Sequence, residues 1–293
     1  MSNYDIQYNQ IIQEIIDEGI WDKDQQVRTK WADGSSAYTK SIINKQIKLD
    51  NKEVPILTTK RVAWKTAIKE LLWIWQLKDN NVDNLNKMGV KIWDEWRMED
   101  GTVGKSYGYQ MGKKVRRKDL TISAGNGFTK TLTYSSKVDQ VDYMLEQLKT
   151  NPSSRRHITS LWNVDDLDEM ALNPCVWNTH WQVLEGKLHL TVGVRSNDIG
   201  LGNPFNIFQY YVLQRMIAQV TGYSLGTLTF NIDNIHGYER HLEPLAEQIK
   251  QPQFEAPELW VNPEVKDFYD FTIDDFKLLN YQHGKTIPME VAI

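Results

Sequence analysis

The sequence holds a single cysteine, Cys175. One thiol excludes an intrachain disulfide and any cysteine-built metal cluster within one chain. No apolar run approaches the ~20 residues that a membrane-crossing helix needs. The opening Met1-Ser2-Asn3-Tyr4-Asp5 lacks the basic start and apolar stretch of a secretory signal, so the expected location is the cytoplasm. The chain has no G-x-G-x-x-G, no P-loop and no H-E-x-x-H. Dinucleotide and triphosphate sites of those kinds are unsupported, and no metal is expected. An excess of positive charge is also missing, since 34 Lys and Arg stand against 38 Asp and Glu, a net charge of −4. A dedicated nucleic-acid binder usually carries a basic field. Nucleic acid is therefore not an expected partner, and any phosphate recognition should be local.

What is present is apolar and aromatic. Of 293 residues, 41% are hydrophobic, with 11 Trp and 13 Tyr. That suffices for one large domain or two smaller ones. The aromatics can fill a core or line pockets for flat ligands. Tyr4, Tyr8, Ile11, Ile12 and Ile15 recur at helical spacing, which predicts a helix over 4–18 that stops at Gly19. Residues 24–40, with Asp33-Gly34-Ser35-Ser36, read as a loop. Residues 65–77 predict an apolar helix with Glu70 among Ile68, Leu71, Leu72 and Trp75, where burial would raise a carboxyl pKa. Residues 112–137, rich in Lys, Arg, Gly, Ser and Thr, read as a surface insertion. Val138, Val141, Leu145 and Leu148 predict another helix, and 157–162 a strand.

The clearest strand signal is 176–195. Trp177, Thr179, Trp181 and Val183 alternate with polar residues, Glu185-Gly186 turns the chain, and Leu188, Leu190, Val192 and Val194 resume the alternation. Phe205 to Gln219 predicts a buried helix ended by Gly222, and Leu225 to Ile232 a strand. Helices and hairpin-linked strands together give an α+β class with a mixed, largely antiparallel sheet.

Candidate chemistry follows from these placements. Cys175 starts the hairpin, where a thiol can face a pocket. Pairing about Glu185-Gly186 sets Arg195 or Ser196 opposite it, and a guanidinium there would favour the thiolate. A buried, inert thiol and a solvated strand-end arginine are the alternatives. Arg155-Arg156 and Arg195-Ser196, with Arg28, offer groups for a phosphate, though paired arginines also occur as solvated patches. Asn206 can donate to one carbonyl and accept from one N–H, which matches the O4 and N3–H edge of uracil, or it can cap a helix. His236 and Tyr238, two apart on a strand, face one side and could hold a sugar hydroxyl.

Taken in order, Lys69-Glu70-Leu71-Leu72-Trp73, Ile92-Trp93-Asp94-Glu95-Trp96, Ser154-Arg155-Arg156, Asn173-Pro174-Cys175, Arg195-Ser196-Asn197-Asp198 and Asn203-Pro204-Phe205-Asn206 resemble the thymidylate synthase family. The resemblance covers nearly the whole chain. It implies a single catalytic domain over 1–293 and a homodimer whose sheets stack face to face. In that dimer Arg155 and Arg156 would reach the partner's nucleotide. It further implies that Arg28, Arg195 and Ser196 hold the dUMP phosphate, Asn206 reads uracil, and His236 and Tyr238 bond the deoxyribose. Asp198 would touch the folate pterin and also serve the nucleotide and catalysis. Lys60, Ile92, Trp93, Trp96, Leu172, Leu201, Gly202, Phe205 and Ala292 would form the folate pocket, under a closing Val291-Ala292-Ile293 tail.

The implied reaction is reductive methylation of dUMP at C5, with 5,10-methylenetetrahydrofolate as donor of carbon and hydride. Cys175 would add to C6, Glu70 would relay protons, and Tyr107 would assist removal of the C5 proton. The sequence departs from the family pattern at Val176, Val194, Asp233-Asn234 and Ala63, where His, Gln, a Gly-Asp pair and His are usual. A dUMP hydroxymethylase of the same family is the nearest alternative. A dCMP hydroxymethylase would want an acid at Asn206. A regulator or RNA-binding protein without catalysis has only the basic stretch from Lys113 to Lys118 in its favour.

Overall fold

Ser2 starts the first helix: its hydroxyl accepts the backbone N–H of Asp5 at 3.1 Å, satisfying one donor that a helix start leaves unpaired. The structure, a computed structural model of the chain, describes residues 2–123 and 131–293. This helix, α1 (Asn3–Glu18), buries Tyr4, Tyr8, Ile11, Ile12 and Ile15 along one face, as their spacing predicts. It ends at Gly19, where a Cβ would fall 2.5 Å from the Ile15 carbonyl oxygen.

The other helices are α2 (Trp64–Leu71), α3 (Val82–Lys87), α4 (Gly108–Gly112), α5 (Gln140–Thr150), α6 (Gly202–Thr221) and α7 (Leu242–Gln248). The strands are β1 (Ile20–Trp21), β2 (Thr39–Leu49), β3 (Arg116–Ser123), β4 (Thr131–Val138), β5 (His157–Ser160), β6 (Val176–Leu184), β7 (Lys187–Val194), β8 (Asn197–Asp198), β9 (Ser224–Tyr238), β10 (Glu258–Val261) and β11 (Phe276–Leu279). The main sheet runs β1-β2-β9-β7-β6-β5, with β8 also on β9. β7 and β8 lie parallel to β9, and the remaining pairings are antiparallel. The fold is thus α+β, a mixed sheet packed against helices, as the sequence suggests.

The packing centre is α6. Ile207, Phe208, Val212, Leu213, Met216 and Ile217 have no exposed surface. A helix that is apolar all round must be surrounded, and each such side chain contributes ~1.5–3 kcal/mol on burial. Gly222 ends α6 at φ +79°, a left-handed conformation in which glycine carries no Cβ penalty. Inside α6, Gln214 Nε2 donates to the Leu188 carbonyl at 2.7 Å, which ties the helix to β7.

The hairpin forms with Leu184 opposite Lys187 across Glu185-Gly186, both at positive φ. The alternation differs from expectation in one place. A register shift between Val176 and Asn178 buries Val176 and leaves Trp177 exposed, because a bulge moves one side chain to the other face. The expected helix over 65–77 also divides. After Leu71 the chain widens into a π turn over Leu72–Gln76, and the Leu77 N–H reaches back to the Leu72 carbonyl at 2.9 Å. β9 runs past Ile232 to Tyr238, because β2 and β8 supply partners where the apolar pattern lapses at Asp233-Asn234. β3 and β4 pair as a separate hairpin within the expected insertion, while residues 124–130 of that insertion lie outside the described residues. Among the described residues no helix is long and apolar enough to cross a membrane.

Candidate active site

Pro174 has no N–H for the ladder, so β6 begins only after it and Cys175 sits at the strand's mouth. The hairpin places Arg195 across from it, with the Arg195 N–H on the Cys175 carbonyl at 2.9 Å. The guanidinium then folds back over the same loop. Its Nε donates to the Pro174 carbonyl at 2.9 Å and its Nη2 to the Asn173 carbonyl at 2.7 Å. Its other face lies over the Trp162 ring, 5.7 Å from the centroid. The Cys175 thiol is half-buried. Burial pushes its pKa up, while Arg195 and then Tyr107 pull it down. Burial dominates, and the Arg195 charge is the largest effect that favours the thiolate against it.

Tyr107 meets Cys175 from the opposite side, its hydroxyl accepting the Cys175 N–H at 3.1 Å. Its backbone lies at φ +43°, ψ −102°, a sparsely populated region for a residue with a side chain. Such a conformation costs ~1–3 kcal/mol and persists only where the surroundings impose it. The next residue, Gly108, leaves no room for a Cβ, which would fall 2.0 Å from the Asp79 carbonyl oxygen. That close approach and the bond to Cys175 hold the ring in place. Burial raises the Tyr107 pKa well above its ordinary value, so the group is a neutral hydroxyl.

Glu70 stands behind Tyr107. The carboxylate projects from α2 and is 8% exposed. The Trp93 indole N–H donates to Oε1 at 2.5 Å, and Gln209 Nε2 donates to Oε2. Burial raises its pKa, and these two bonds oppose the rise. The Trp93 ring meets Tyr107 edge-on at 5.0 Å and Trp96 at 5.5 Å. Trp93, expected as a folate wall, is here the hydrogen-bond donor to Glu70.

Asn206, half-buried in the first turn of α6, accepts from Asn197 Nδ2 at 3.2 Å. Asn197 Oδ1 in turn accepts from Asn203 Nδ2 at 2.6 Å, and Asn203 Oδ1 from the Tyr4 hydroxyl at 2.8 Å. This relay fixes the Asn206 carboxamide with its oxygen toward Asn197 and its N–H groups turned elsewhere. Asp198 shapes the turn into α6, accepting the N–H of Gly200 at 2.7 Å and of Leu201 at 3.3 Å. β8 sets Asp198 opposite His236, and His236 meets Tyr238 edge-on at 5.3 Å. Burial lowers the His236 pKa, which keeps the ring neutral near neutrality. Burial, then Asp198, pushes Tyr238 up to about 12. Arg28, exposed on the early loop, acts electrostatically on both Cys175 and Tyr238. Ser196 follows Arg195, half-buried.

The C-terminal tail docks on that early loop. Ile293 and Lys30 exchange backbone bonds at 2.9 Å and 2.6 Å. Glu290 accepts from Arg240 Nη1 at 2.9 Å and from the Ala32 N–H at 3.2 Å, and Arg240 Nη2 donates to Asp33 at 2.6 Å. The tail crosses Gly200, where a Cβ would fall 2.8 Å from Met289 Sδ. Lys60 is buried beneath this region, its Nζ donating to the Gly200 carbonyl at 2.5 Å. Burial draws its pKa down to about 8, against the pull of Asp198.

Cys175, Arg195, Tyr107, Glu70, Trp93, Asp198, Tyr238 and Arg28 therefore converge. Leu172, Leu201, Gly202 and Phe205 are half-buried near the start of α6 and the thiol loop, Ala292 is half-buried, and Ile92 is exposed. Arg155 and Arg156 are not brought in: they are exposed on the turn before β5, the strand at the end of the sheet path. Sequence reasoning missed Gln209, Asn197, Asn203 and Trp162. Gln209 had a readable signal, a polar residue one helical turn after Asn206 in an apolar helix. Among the described residues no group of His, Cys, Asp and Glu could hold a metal. A surface cavity of about 400 Å³ beside Arg215 and Glu258 lies apart from these groups.

Residues 6–293 match the family model described as thymidylate synthase. The chain is 63% identical over 294 residues to thymidylate synthase 1 of Bacillus spizizenii, covering all of both chains. It is equally similar, over the same coverage, to the thymidylate synthase of Bacillus phage phi3T. Among solved structures, a thermostable thymidylate synthase A from Bacillus subtilis superposes with a TM-score of 0.89 at 64% identity, covering 99% of each chain.

Proposed function

Since the chain belongs to the thymidylate synthase family, a family of methyltransferases, we propose that it converts dUMP to dTMP at the expense of 5,10-methylenetetrahydrofolate, releasing dihydrofolate. The observation that carries this reading is the half-buried Cys175 held between the Arg195 backbone and the Tyr107 hydroxyl. It is the one thiol in the chain, and a guanidinium is folded over its loop.

The Cys175 thiolate adds to C6 of the uracil, and the electron pair of the C5–C6 bond moves toward C5 and O4. Asn206 donates to O4, where charge develops, and accepts from N3–H. Glu70 moves protons at O4 and at the folate nitrogens, and Tyr107 assists removal of the C5 proton. When sulfur leaves C6, the ring double bond returns. Arg28, Arg195 and Ser196 hold the phosphate, His236 and Tyr238 the 3′-hydroxyl. In a homodimer with stacked sheets, Arg155 and Arg156 serve the partner's phosphate, which accounts for their exposure at the sheet's end.

The folate fits the residues present. Trp93, Trp96, Leu172, Leu201, Gly202 and Phe205 offer flat apolar surface beside the thiol, with Asp198 as the polar contact for the pterin, Ile92 and Ala292 at the rim and Lys60 below. Bound there, it supplies the one-carbon unit and the hydride. The docked tail supports hydride transfer over hydration, because a closed site excludes water. A nucleic-acid role finds little support in the basic stretch, where Lys113 pairs with Asp166 at 2.6 Å and Arg116 lies over Tyr143. Cytoplasmic location belongs to the same reading. Incubation with dUMP and methylenetetrahydrofolate, followed by product mass, tests it. dTMP with equimolar dihydrofolate is expected. Hydroxymethyl-dUMP without dihydrofolate, or no product, would overturn it.

A further inference from the structure

We propose that Gln209 is a positioning residue that clamps the Glu70 carboxylate and holds it in its ionised form until a proton is taken up. This rests on the reading of Glu70 as the proton-relaying acid. Gln209 lies on α6, Glu70 on α2, and the two helices pack together. The Gln209 side-chain nitrogen makes two bonds to α2. It donates to Glu70 Oε2 and, at 3.0 Å, to the carbonyl oxygen of Ala67, one turn earlier on the same face. An ionised carboxylate only accepts, so the amide must turn its nitrogen toward Glu70. With both hydrogens committed to α2, the amide has no freedom to swing away.

Trp93 supplies the donor on the other oxygen. Glu70 thus accepts one donor on each oxygen, an indole that also packs on Tyr107 and a carboxamide from α6. The carboxylate cannot rotate without breaking one of these bonds in a site that water barely reaches. Hydrogen bonds to the charged form of a buried acid oppose the desolvation that would otherwise keep it protonated. Gln209 accordingly sets where on the pH scale Glu70 gives and takes its proton, although it touches neither substrate nor reacting atom. Its own exposure is 5%, so the bond is not shared with bulk solvent.

The test is the pH dependence of kcat in Gln209→Met, which keeps the shape and removes the donor, and in Gln209→Glu, which is nearly isosteric and sets a second acid beside the first. Removing the donor destabilises the carboxylate. The kcat limb governed by Glu70 should therefore move up by roughly one pH unit in Gln209→Met. In Gln209→Glu two acids share one proton, and the limb should move further in the same direction. The KM for dUMP should change little in either. A residue that merely ties α2 to α6 would lower the melting temperature and leave the limb in place, and that result overturns the proposal. If Gln209→Met does not fold, an unmoved limb in Gln209→Glu is sufficient to overturn it. Glu70→Gln, measured in parallel, separates the two readings. Wild-type turnover in that variant removes Glu70 from the mechanism. An inactive Glu70→Gln beside unmoved limbs in both Gln209 variants refutes only the role of Gln209.

Discussion

Arg195 bonds to Cys175 through its backbone N–H, at 2.9 Å, and not through its guanidinium, whose Nε and Nη2 donate to the carbonyls of Pro174 and Asn173. Its charge therefore acts on the sulfur at fixed distance while its hydrogen bonds hold the loop. Replacing it by Gln removes the pull that opposes burial, so the thiol should ionise at higher pH. We expect alkylation of Cys175 by iodoacetamide at about pH 7 to slow roughly tenfold. Its pH profile should shift upward. Arg195→Lys, which keeps charge but not the planar fork, should fall between the two.

Asn206 is oriented by the relay from Tyr4 through Asn203 and Asn197. An ionised carboxylate at this position could not donate to O4 of uracil but could accept from the amino group of cytosine. Asn206→Asp should raise the ratio of kcat/KM for dCMP over dUMP by at least about tenfold. An unchanged ratio would place base selection elsewhere.

Glu290 ties the tail to Arg240 and to the loop bearing Arg28 and Lys30. These are exposed, mutually paired groups, so the effect of breaking them should be moderate. Glu290→Ala should raise the folate KM severalfold with a smaller change in kcat, and carboxypeptidase should trim Ile293 faster than in the unaltered protein.

Asp5 has no exposed surface and receives the N–H and hydroxyl of Thr58, at 3.0 Å and 2.6 Å, and the hydroxyl of Ser2 at 2.8 Å. It anchors the segment that carries Lys60. Asp5→Ala would strand those donors and should destabilise the fold by roughly 2–4 kcal/mol in urea unfolding.

Much of the fold is legible in the sequence. α1, α5, α6 and the β6–β7 hairpin announce themselves because each buries one periodic face or is apolar throughout. The hairpin register left Arg195 or Ser196 opposite Cys175, and the bulge at Trp177 is what selects Arg195. What escaped depends on contacts between distant segments. β2 reads poorly, since Asn44, Lys45, Gln46 and Lys48 interrupt its apolar residues and its pairing with β9 is what makes it a strand. The bulge at Trp177 is one extra residue that no alternation count detects. Asn197 and Asn203 carry no local signal, because their role is to complete a chain of amides that begins on α1. Gln209 is intermediate: its polarity is conspicuous in α6, but its partner on α2 emerges only from packing.

The most direct test of covalent catalysis uses 5-fluoro-dUMP with methylenetetrahydrofolate. At C5 the hydrogen departs as a proton and leaves its electron pair behind, which fluorine cannot do, so the reaction should stop with the nucleotide still joined to the enzyme. Mass spectrometry of the digested protein should find the peptide containing Cys175 heavier by nucleotide and folate together. An unmodified Cys175 peptide from protein saturated with both ligands would contradict the account.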